Sequence, residues 1–286
     1  SPNKLLNDNE WLWNSLNGMH RHPLAGYLRY ENFFIQDLFV HKHGWDAVGR
    51  LWNECKDPED PFETYMRTRM TGTTTQKVSK LGDELWEWGA RMTTFDLDPI
   101  RSIGDGKASW RSQTALTKDD DGYWWPEKKD CIENYGKNAI RLNAPSKAKT
   151  LYVEFEGKAG ADGYTAKNIT RAGWRIGFVA FKSDGTRVYG DMHRAGYNDA
   201  DQLIAFDCPA GCSHVWLVIS GAPSTYWTHN FTGWIDNTEE QWPYRVRFYQ
   251  TNVYGEANND DVPTGVEGVE DTEALRREDF AIHDLS

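Results

Sequence analysis

The hydrophobic pattern of this 286-residue chain changes its period once, near residue 110. Before that point, apolar residues such as Phe34 and Leu38 recur three or four positions apart, the spacing of an amphipathic helix. After it, Leu151, Val153 and Phe155 alternate with other residues, which is the period of a half-buried strand. The sequence therefore predicts an α+β fold of two domains. A helical domain covers 1–110, a β-sandwich domain covers 111–255, and an acidic extension covers 256–286.

Local signals predict where the helices begin and end. Asp60 can cap a helix, Pro61 suits its first position, and Glu63 can complete a capping box. Gly44 is the predicted end of an earlier helix. Two further apolar stripes have helical spacing. The shorter one consists of Trp45, Val48, Trp52 and Cys55, and the longer one of Val78, Leu81, Leu85, Trp88 and Met92.

Beyond residue 110 the chain reads as short strands separated by turns rich in Gly, Asp and Pro. Ser183-Asp-Gly185 is predicted to be a hairpin turn. This pattern is typical of an antiparallel sandwich, and we expect one of jelly-roll type. A short helix is predicted within the acidic tail, at 271–280. The predicted strands cover residues 151–155, 174–180, 187–189, 203–206, 215–219 and 244–248.

Composition limits the classes of function. The chain has 32 Lys and Arg against 43 Asp and Glu, a formal net charge of −11, so a basic surface for nucleic acid is not expected. No apolar run approaches the ~20 residues of a membrane helix, so no membrane span is predicted. Aromatic residues make up 14% of the chain, which excludes disorder for most of it.

The cysteines bear on the cellular compartment. The segment Cys208-Pro-Ala-Gly-Cys212 forms a small loop that holds its two cysteines close together. We expect these cysteines to form a disulfide if the protein is exported, and the alternative is that they are two reduced thiols in the core. Abundant Trp and Tyr, acidity and Asn/Gly loops are typical of secreted bacterial proteins. We therefore expect the protein to be secreted or on the cell surface.

The sequence contains none of the common catalytic motifs. It has no His-Glu-x-x-His helix, no Gly-x-Ser-x-Gly elbow and no phosphate-binding loop. His20 and His22 fall in a loop, while His41 and His43 lie two apart on a helix and so point away from each other. We expect both pairs to be solvated polar residues. No metal site, no cofactor and no catalytic residue is predicted. The acidic turn 119–121 is either a calcium ligand set or a solvated loop.

Four aromatic residues are the remaining candidates for a site. Trp124, Trp125, Tyr226 and Trp227 are predicted to lie in loops around the strands, where exposed rings stack on sugars or peptides. The alternative is that these rings close the edge of the sandwich or pack between the domains, because burial of a large apolar side chain is favourable. Both interpretations remain open at the level of sequence.

Several stretches resemble a known family of uncharacterised secreted proteins from gut-type bacteria, described as a domain of unknown function and sometimes as avirulence-like. They are Tyr30–Phe39, Gly44–Trp52, Asp57-Pro58, Tyr65, Val215–Pro223 and Gln241–Val246. The resemblance implies that the helical part is similar to the C-terminal half of gluzincin peptidases. It would make Glu31 the nearest equivalent of their third zinc ligand, although this chain lacks the zinc helix.

Together these observations predict an extracellular recognition protein. The expected partner is a glycan or glycoprotein, bound through the β-sandwich without catalysis by this chain. The alternative is the C-terminal part of a gluzincin-like zinc metallopeptidase whose His-Glu-x-x-His half is missing. A structural or adhesion role, in which the sandwich only packs against partners, is a third possibility.

Overall fold

The computed structural model describes residues 16, 18–25, 31–98, 100–101, 114–229 and 239–264, and the predicted helix at 271–280 lies outside these ranges. The described residues form four α-helices. These are α1 (Ile35–His43), α2 (Ala47–Glu54), α3 (Pro61–Arg69) and α4 (Thr74–Thr93). Short 3-10 helices occur at Glu31–Phe34, Lys128–Asp130 and Ile169–Arg171.

Ten strands follow in the described part of the chain. They are β1 (Leu116–Lys118), β2 (Trp124–Pro126), β3 (Lys137–Leu142), β4 (Lys149–Gly157), β5 (Gly173–Lys182), β6 (Arg187–Tyr189), β7 (His193–Gly196), β8 (Asp201–Cys208), β9 (Cys212–Gly221) and β10 (Tyr244–Tyr249). The α+β class is thereby confirmed. Among the described residues, no helix has the length and apolar character needed to cross a membrane.

The start of α3 follows the predicted capping chemistry, and α4 begins at a capping box that the sequence analysis did not name. Asp60 accepts hydrogen bonds from the backbone N–H groups of Phe62 and Glu63, and the Glu63 side chain accepts from the Asp60 backbone. Thr73 and Gln76 form a second capping box at the start of α4. Each box satisfies N–H groups that have no partner inside the helix, so both starts are determined locally.

The two tryptophans of the predicted stripe, Trp45 just before α2 and Trp52 within it, point away from the helical core. Trp45 and Trp52 are 88% and 66% exposed, whereas Ala47 and Leu51 are buried. The eight-residue helix packs its narrower side against its neighbours, and the bulky stripe faces outward. The sequence shows that this helix has an apolar stripe, but the packing of α1 and α3 decides which side is buried.

Two antiparallel sheets face each other and enclose the main core. One has the order β1-β2-β10-β4-β8, and the other has the order β3-β9-β5-β6, with β7 also paired to β5. The Phe155 and Trp174 rings, one from each sheet, meet edge to face with centroids 5.7 Å apart. The predicted β-sandwich is confirmed, while its jelly-roll connectivity stays a prediction.

One strand of this sandwich was predicted to be a loop. Trp124 and Trp125 lie in β2, where Trp124 pairs with Val246 of β10. The prediction was wrong because the strand is three residues long and is ordered by its two neighbours rather than by its own pattern. Pairing of this kind is invisible in a local window of sequence.

Helix α4 covers the outer face of the β3-β9-β5-β6 sheet. The Trp86 indole N–H donates to the Val218 carbonyl at 3.0 Å, and Arg175 donates to the Asp83 carboxylate at 2.6 Å. Gly177 leaves room for this ring, since a Cβ there would lie 2.5 Å from Trp86. The helices and the sandwich are therefore in direct contact, and the domain limits 1–110, 111–255 and 256–286 stay a prediction.

The segment 18–25 also packs on the sandwich. The His20 carbonyl accepts from the Glu133 backbone N–H, and the Met19 carbonyl accepts from Lys137, both at 2.7 Å. A Cβ at Gly136 would lie 2.0 Å from the His20 carbonyl oxygen, so only glycine permits this approach. We refer to this contact zone as the seam between the helical part and the sandwich.

Cys208 and Cys212 are buried free thiols at the end of β8 and the start of β9. These strands belong to different sheets, so a bridge would link the two layers of the sandwich. Burial and the neighbouring Cys212 raise the pKa of the Cys208 thiol, which keeps it protonated. Formation of the disulfide on export stays a prediction.

Candidate functional site

The four predicted platform residues occupy different surroundings. Trp124 is 9% exposed and packs in the sandwich core, where its indole N–H donates to Asn252 Oδ1 at 3.0 Å. Trp125 is half-buried on the opposite side of β2, because successive side chains of a strand alternate. Of these two tryptophans, Trp125 alone faces outward from the sandwich.

The other two platform residues lie near the seam. Tyr226 packs against the helical core, and its hydroxyl donates to Asp60 Oδ2. Trp227 packs at the margin of the sandwich core, with the Arg171 guanidinium 5.2 Å from its ring centroid. The structure thus gives the four rings three kinds of environment, and a shared role in ligand binding stays a prediction.

The outer face of the β1-β2-β10-β4-β8 sheet carries rings and charges together. Strand register places Arg245 opposite Glu156, Arg247 opposite Glu154, and Tyr249 opposite Tyr152. We call this surface the charged-aromatic face. It consists of Tyr123, Trp125, Tyr152, Glu154, Glu156, Arg245, Arg247 and Tyr249.

Arg245 organises one end of the charged-aromatic face. Its guanidinium donates to Glu156 at 2.7 Å, to Asp119 at 3.1 Å and to Asp121 at 3.3 Å. The Trp125 indole N–H donates to the same Asp119 oxygen at 2.8 Å. The acidic turn 119–121 was expected to be a solvated loop or a calcium site, but two of its carboxylates are paired with this arginine.

A second set of contacts holds the middle of the face. The guanidinium carbons of Arg245 and Arg247 each lie 4.0 Å from the centroid of the Tyr123 ring, which is 4% exposed. The Tyr249 hydroxyl donates to Glu154 at 2.9 Å. Most of the charged groups on this face therefore have fixed positions, while their side chains remain 15% to 36% exposed.

The charge pairs shift the titration of the groups involved. Burial by itself would raise the pKa of Glu156, but hydrogen bonds from Arg245, Lys158 and Tyr123 outweigh it and lower that pKa to about 2. The same Glu156 hydrogen bond raises the pKa of Arg245. Both groups stay charged throughout the physiological pH range.

Acid is expected to weaken this network in a defined window. Because the folded pKa of Glu156 lies below its ordinary value of 4.5, its stabilisation is complete above about pH 5 and is lost as pH falls toward 2. The Glu156→Gln variant should lose less unfolding free energy than the parent between these pH values, measured by urea denaturation. Glu127→Gln, at an exposed carboxylate, is the control and should behave like the parent. Equal acid sensitivity of parent and Glu156→Gln would contradict the assignment.

A buried polar cluster lies at the seam. The rings of His22 and His229 stack with centroids 4.5 Å apart, and His229 Nδ1 is 3.0 Å from Glu239 Oε1. One potential ligand atom from each of the three residues lies within 4.8 Å of the other two. The prediction that His22 is a solvated loop residue was wrong, because the side chain is 2% exposed.

This cluster is not predicted from the sequence, because its three residues do not stand at the short spacing of a metal-binding motif. His22 lies before α1, while His229 and Glu239 follow the last strand of the covered sheet. The other histidine pair behaves as expected for helical residues that diverge. His43 Nε2 lies 2.8 Å from the Tyr65 hydroxyl, and burial together with the Arg91 charge lowers the pKa of His41.

A separate concavity lies on the helical part, and its lining is mostly apolar. It has a volume of about 430 Å³ and is lined by α1, α2 and the start of α3, with Trp52 and Phe33 among its rings. The side chain of Glu31, the zinc-ligand equivalent implied by the gluzincin resemblance, lies outside the described residues.

Comparison with known families identifies the chain at one level. A sequence profile for a family of unknown function matches residues 5–255. The protein belongs to the DUF6055 family. The resemblance to a domain of unknown function is thus confirmed, while the gluzincin-like and avirulence-like features stay predictions. No curated protein matches this DUF6055 chain.

Two solved structures are among those that align with parts of this DUF6055 chain. A mitogen from Yersinia pseudotuberculosis is 11% identical, with 53% of this chain and 96% of that chain covered and a TM-score of 0.29. The C-terminal family 22 carbohydrate-binding module of Clostridium thermocellum Xyn10B is 10% identical, with 46% and 76% covered and a TM-score of 0.26. At these TM-scores the likeness carries no functional argument.

Proposed function

We propose that this protein is a secreted or cell-surface recognition protein that binds a glycan, free or on a glycoprotein, through the charged-aromatic face. The observation that carries the proposal is the position of Trp125. Its half-buried ring is fixed by the Asp119 carboxylate at 2.8 Å and lies beside an ordered set of carboxylates and guanidinium groups. The role concerns binding, and no reaction is assigned to this chain.

The chemistry of the face suits sugars. A sugar ring has an apolar C–H side that packs on an indole, and it has hydroxyls that donate to carboxylates and accept from guanidinium groups. Glu154, Glu156, Arg245 and Arg247 provide both kinds of partner on adjacent strands. Few convergent polar groups beside an aromatic surface are typical of ligand sites.

The contacts of the free protein reduce the cost of binding. Arg245 and Glu154 are already held by hydrogen bonds to neighbouring side chains, so little side-chain freedom remains to be lost. Preorganisation of this kind strengthens binding without any new contact. The opposite outer face of the sandwich is occupied by α4, which, within the described part of the chain, leaves the charged-aromatic face as the broad sheet surface available to a ligand.

The Trp125→Ala variant is expected to lose about 30-fold or more in glycan affinity, as truncation of a central aromatic anchor does in other interfaces. A glycan array identifies the ligand, and isothermal titration calorimetry then measures the affinities of parent and variant. The matched control is Trp45→Ala, since Trp45 is 88% exposed on the helical part. It should bind like the parent.

Thermal melts of both variants separate binding from folding. Trp125→Ala should melt within a few degrees of the parent, because its ring is only half-buried. A parent protein that binds no glycan on the array, or a Trp125→Ala variant that binds as tightly as the parent, would refute the proposed function.

A further inference from the structure

The seam cluster of His22, His229 and Glu239 lies apart from the charged-aromatic face and has ligand chemistry of its own. All three side chains are buried, at 2%, 3% and 5% exposure. One ring nitrogen of each histidine and one oxygen of Glu239 lie within 4.8 Å of one another. We propose that these residues bind a divalent transition-metal ion, Zn²⁺ by preference, which fastens the segment 18–25 to the sandwich.

The donor set fits that class of ion. Imidazole nitrogen and carboxylate oxygen are ordinary ligands of Zn²⁺ and its neighbours, whereas Ca²⁺ and Mg²⁺ prefer oxygen alone. In a tetrahedral zinc site the ligand atoms lie about 3.3 Å apart, so these three close inward on binding. The two imidazole planes, now within 11° of parallel, tilt toward the ion as their lone pairs converge.

The groups around the cluster hold the ligands in place, as the outer shell of a metal site does. Asn134 donates its side-chain amide to Glu239 Oε2, and its own carbonyl accepts from the Trp242 indole at 2.7 Å. The backbone N–H of His229 donates to Asp60 Oδ2 at 2.7 Å. The two hydrogen bonds, from Trp242 to Asn134 and from Asn134 to Glu239, therefore orient the Glu239 carboxylate before an ion binds.

The charge at the seam also favours a cation. Asp60 and Glu239 are buried carboxylates at 1% and 5% exposure. Within the part of the chain that the structure describes, neither forms an ion pair with a lysine or an arginine. Buried carboxylates are costly unless a positive charge compensates them. A divalent ion on Glu239 provides that compensation at the seam.

The position of the ligands gives the ion a structural role. His22 precedes α1, while His229 and Glu239 lie between β9 and β10, so one ion joins segments that are distant in the sequence. Three protein ligands leave one place in a four-coordinate shell, which a water molecule fills. Metal binding of this kind is coupled to folding, and removal of the ion should loosen the seam.

Metal content and Co²⁺ absorption test the proposal. The full chain, purified from zinc-supplemented medium and dialysed, should contain about one Zn²⁺ per molecule by elemental analysis. The chelated protein should then bind Co²⁺ with the visible absorption of a tetrahedral site, and Zn²⁺ should displace it. Glu239→Gln and His22→Ala should each weaken Co²⁺ binding by about 100-fold or more, since even outer-shell changes cost 10- to 100-fold.

A control variant and a measurement of folding complete the test. His193→Ala, which removes a histidine on β7 remote from the cluster, should bind Co²⁺ like the parent. Circular dichroism of each variant in metal-free buffer shows whether it is folded. Folded parent protein that takes up neither Zn²⁺ nor Co²⁺ would overturn the proposal. So would unchanged Co²⁺ binding in folded Glu239→Gln or His22→Ala.

Discussion

Replacement of Trp174 by alanine is expected to lower the free energy of unfolding by about 3–5 kcal/mol, the range for loss of a fully buried large aromatic side chain. Trp174 is 0% exposed, packs against Phe155, and donates its indole N–H to the Trp242 carbonyl at 3.1 Å. The change would leave a cavity between the sheets and an unpaired buried carbonyl. Equilibrium urea unfolding measures the loss.

The surroundings of Trp174 explain why the site should not relax. Gly157 lies so close that a Cβ there would be 2.4 Å from the indole, which shows how tightly the ring is enclosed. The control is Trp45→Ala, which removes the same side chain at an exposed position and should change stability by about 0.5 kcal/mol or less. A loss under about 1 kcal/mol in Trp174→Ala would show that the sandwich core is not packed as described.

The second large effect is expected at Asp60, where Asp60→Ala should cost about 3–5 kcal/mol. Its side chain caps α3 through Phe62 and Glu63, and loss of a cap costs about 1 kcal/mol. The same carboxylate accepts from the Tyr226 hydroxyl and from the His229 backbone N–H. Removal leaves these two donors without their acceptor, at about 1–2 kcal/mol each.

A comparison within the chain separates the two contributions. Thr73 also heads a capping box but, among the residues that the structure describes, makes no corresponding contact across the seam, so Thr73→Ala should cost only about 1 kcal/mol. Asp60→Asn retains a good capping oxygen and should fall between the parent and Asp60→Ala. Urea unfolding of the three variants checks this order. Equal losses in Thr73→Ala and Asp60→Ala would mean that Asp60 acts as a cap alone.

Predictions from the sequence succeeded where neighbouring residues settle the structure. The start of α3 at Pro61 and the end of α1 before Gly44 depend on hydrogen bonds and backbone angles within a few residues. The alternation of Val153 and Phe155 likewise fixed which residues of β4 face the core. These features are local, so the pattern alone predicts them.

Predictions failed where contacts with residues distant in the sequence determine the local structure or the burial of a side chain. Trp124 was assigned to a loop because β2 is ordered by β1 and β10 rather than by its own residues. Trp45 and Trp52 belong to the predicted apolar stripe, yet both are exposed and α2 buries Ala47 and Leu51 instead. In the first case the pairing of strands, and in the second the packing of helices, is determined by residues outside the local pattern.

The sequence by itself determined the start of α3, the end of α1, the change from helix to strand near residue 110 and the sandwich class. Only the tertiary structure decided the two candidate sites. The charged-aromatic face exists because strand register sets Arg245 opposite Glu156, and the seam cluster exists because the fold brings His22 to His229 and Glu239. Capping and alternation act over a few residues, whereas register and seam packing join residues from distant parts of the chain, and local spacing does not encode these pairings.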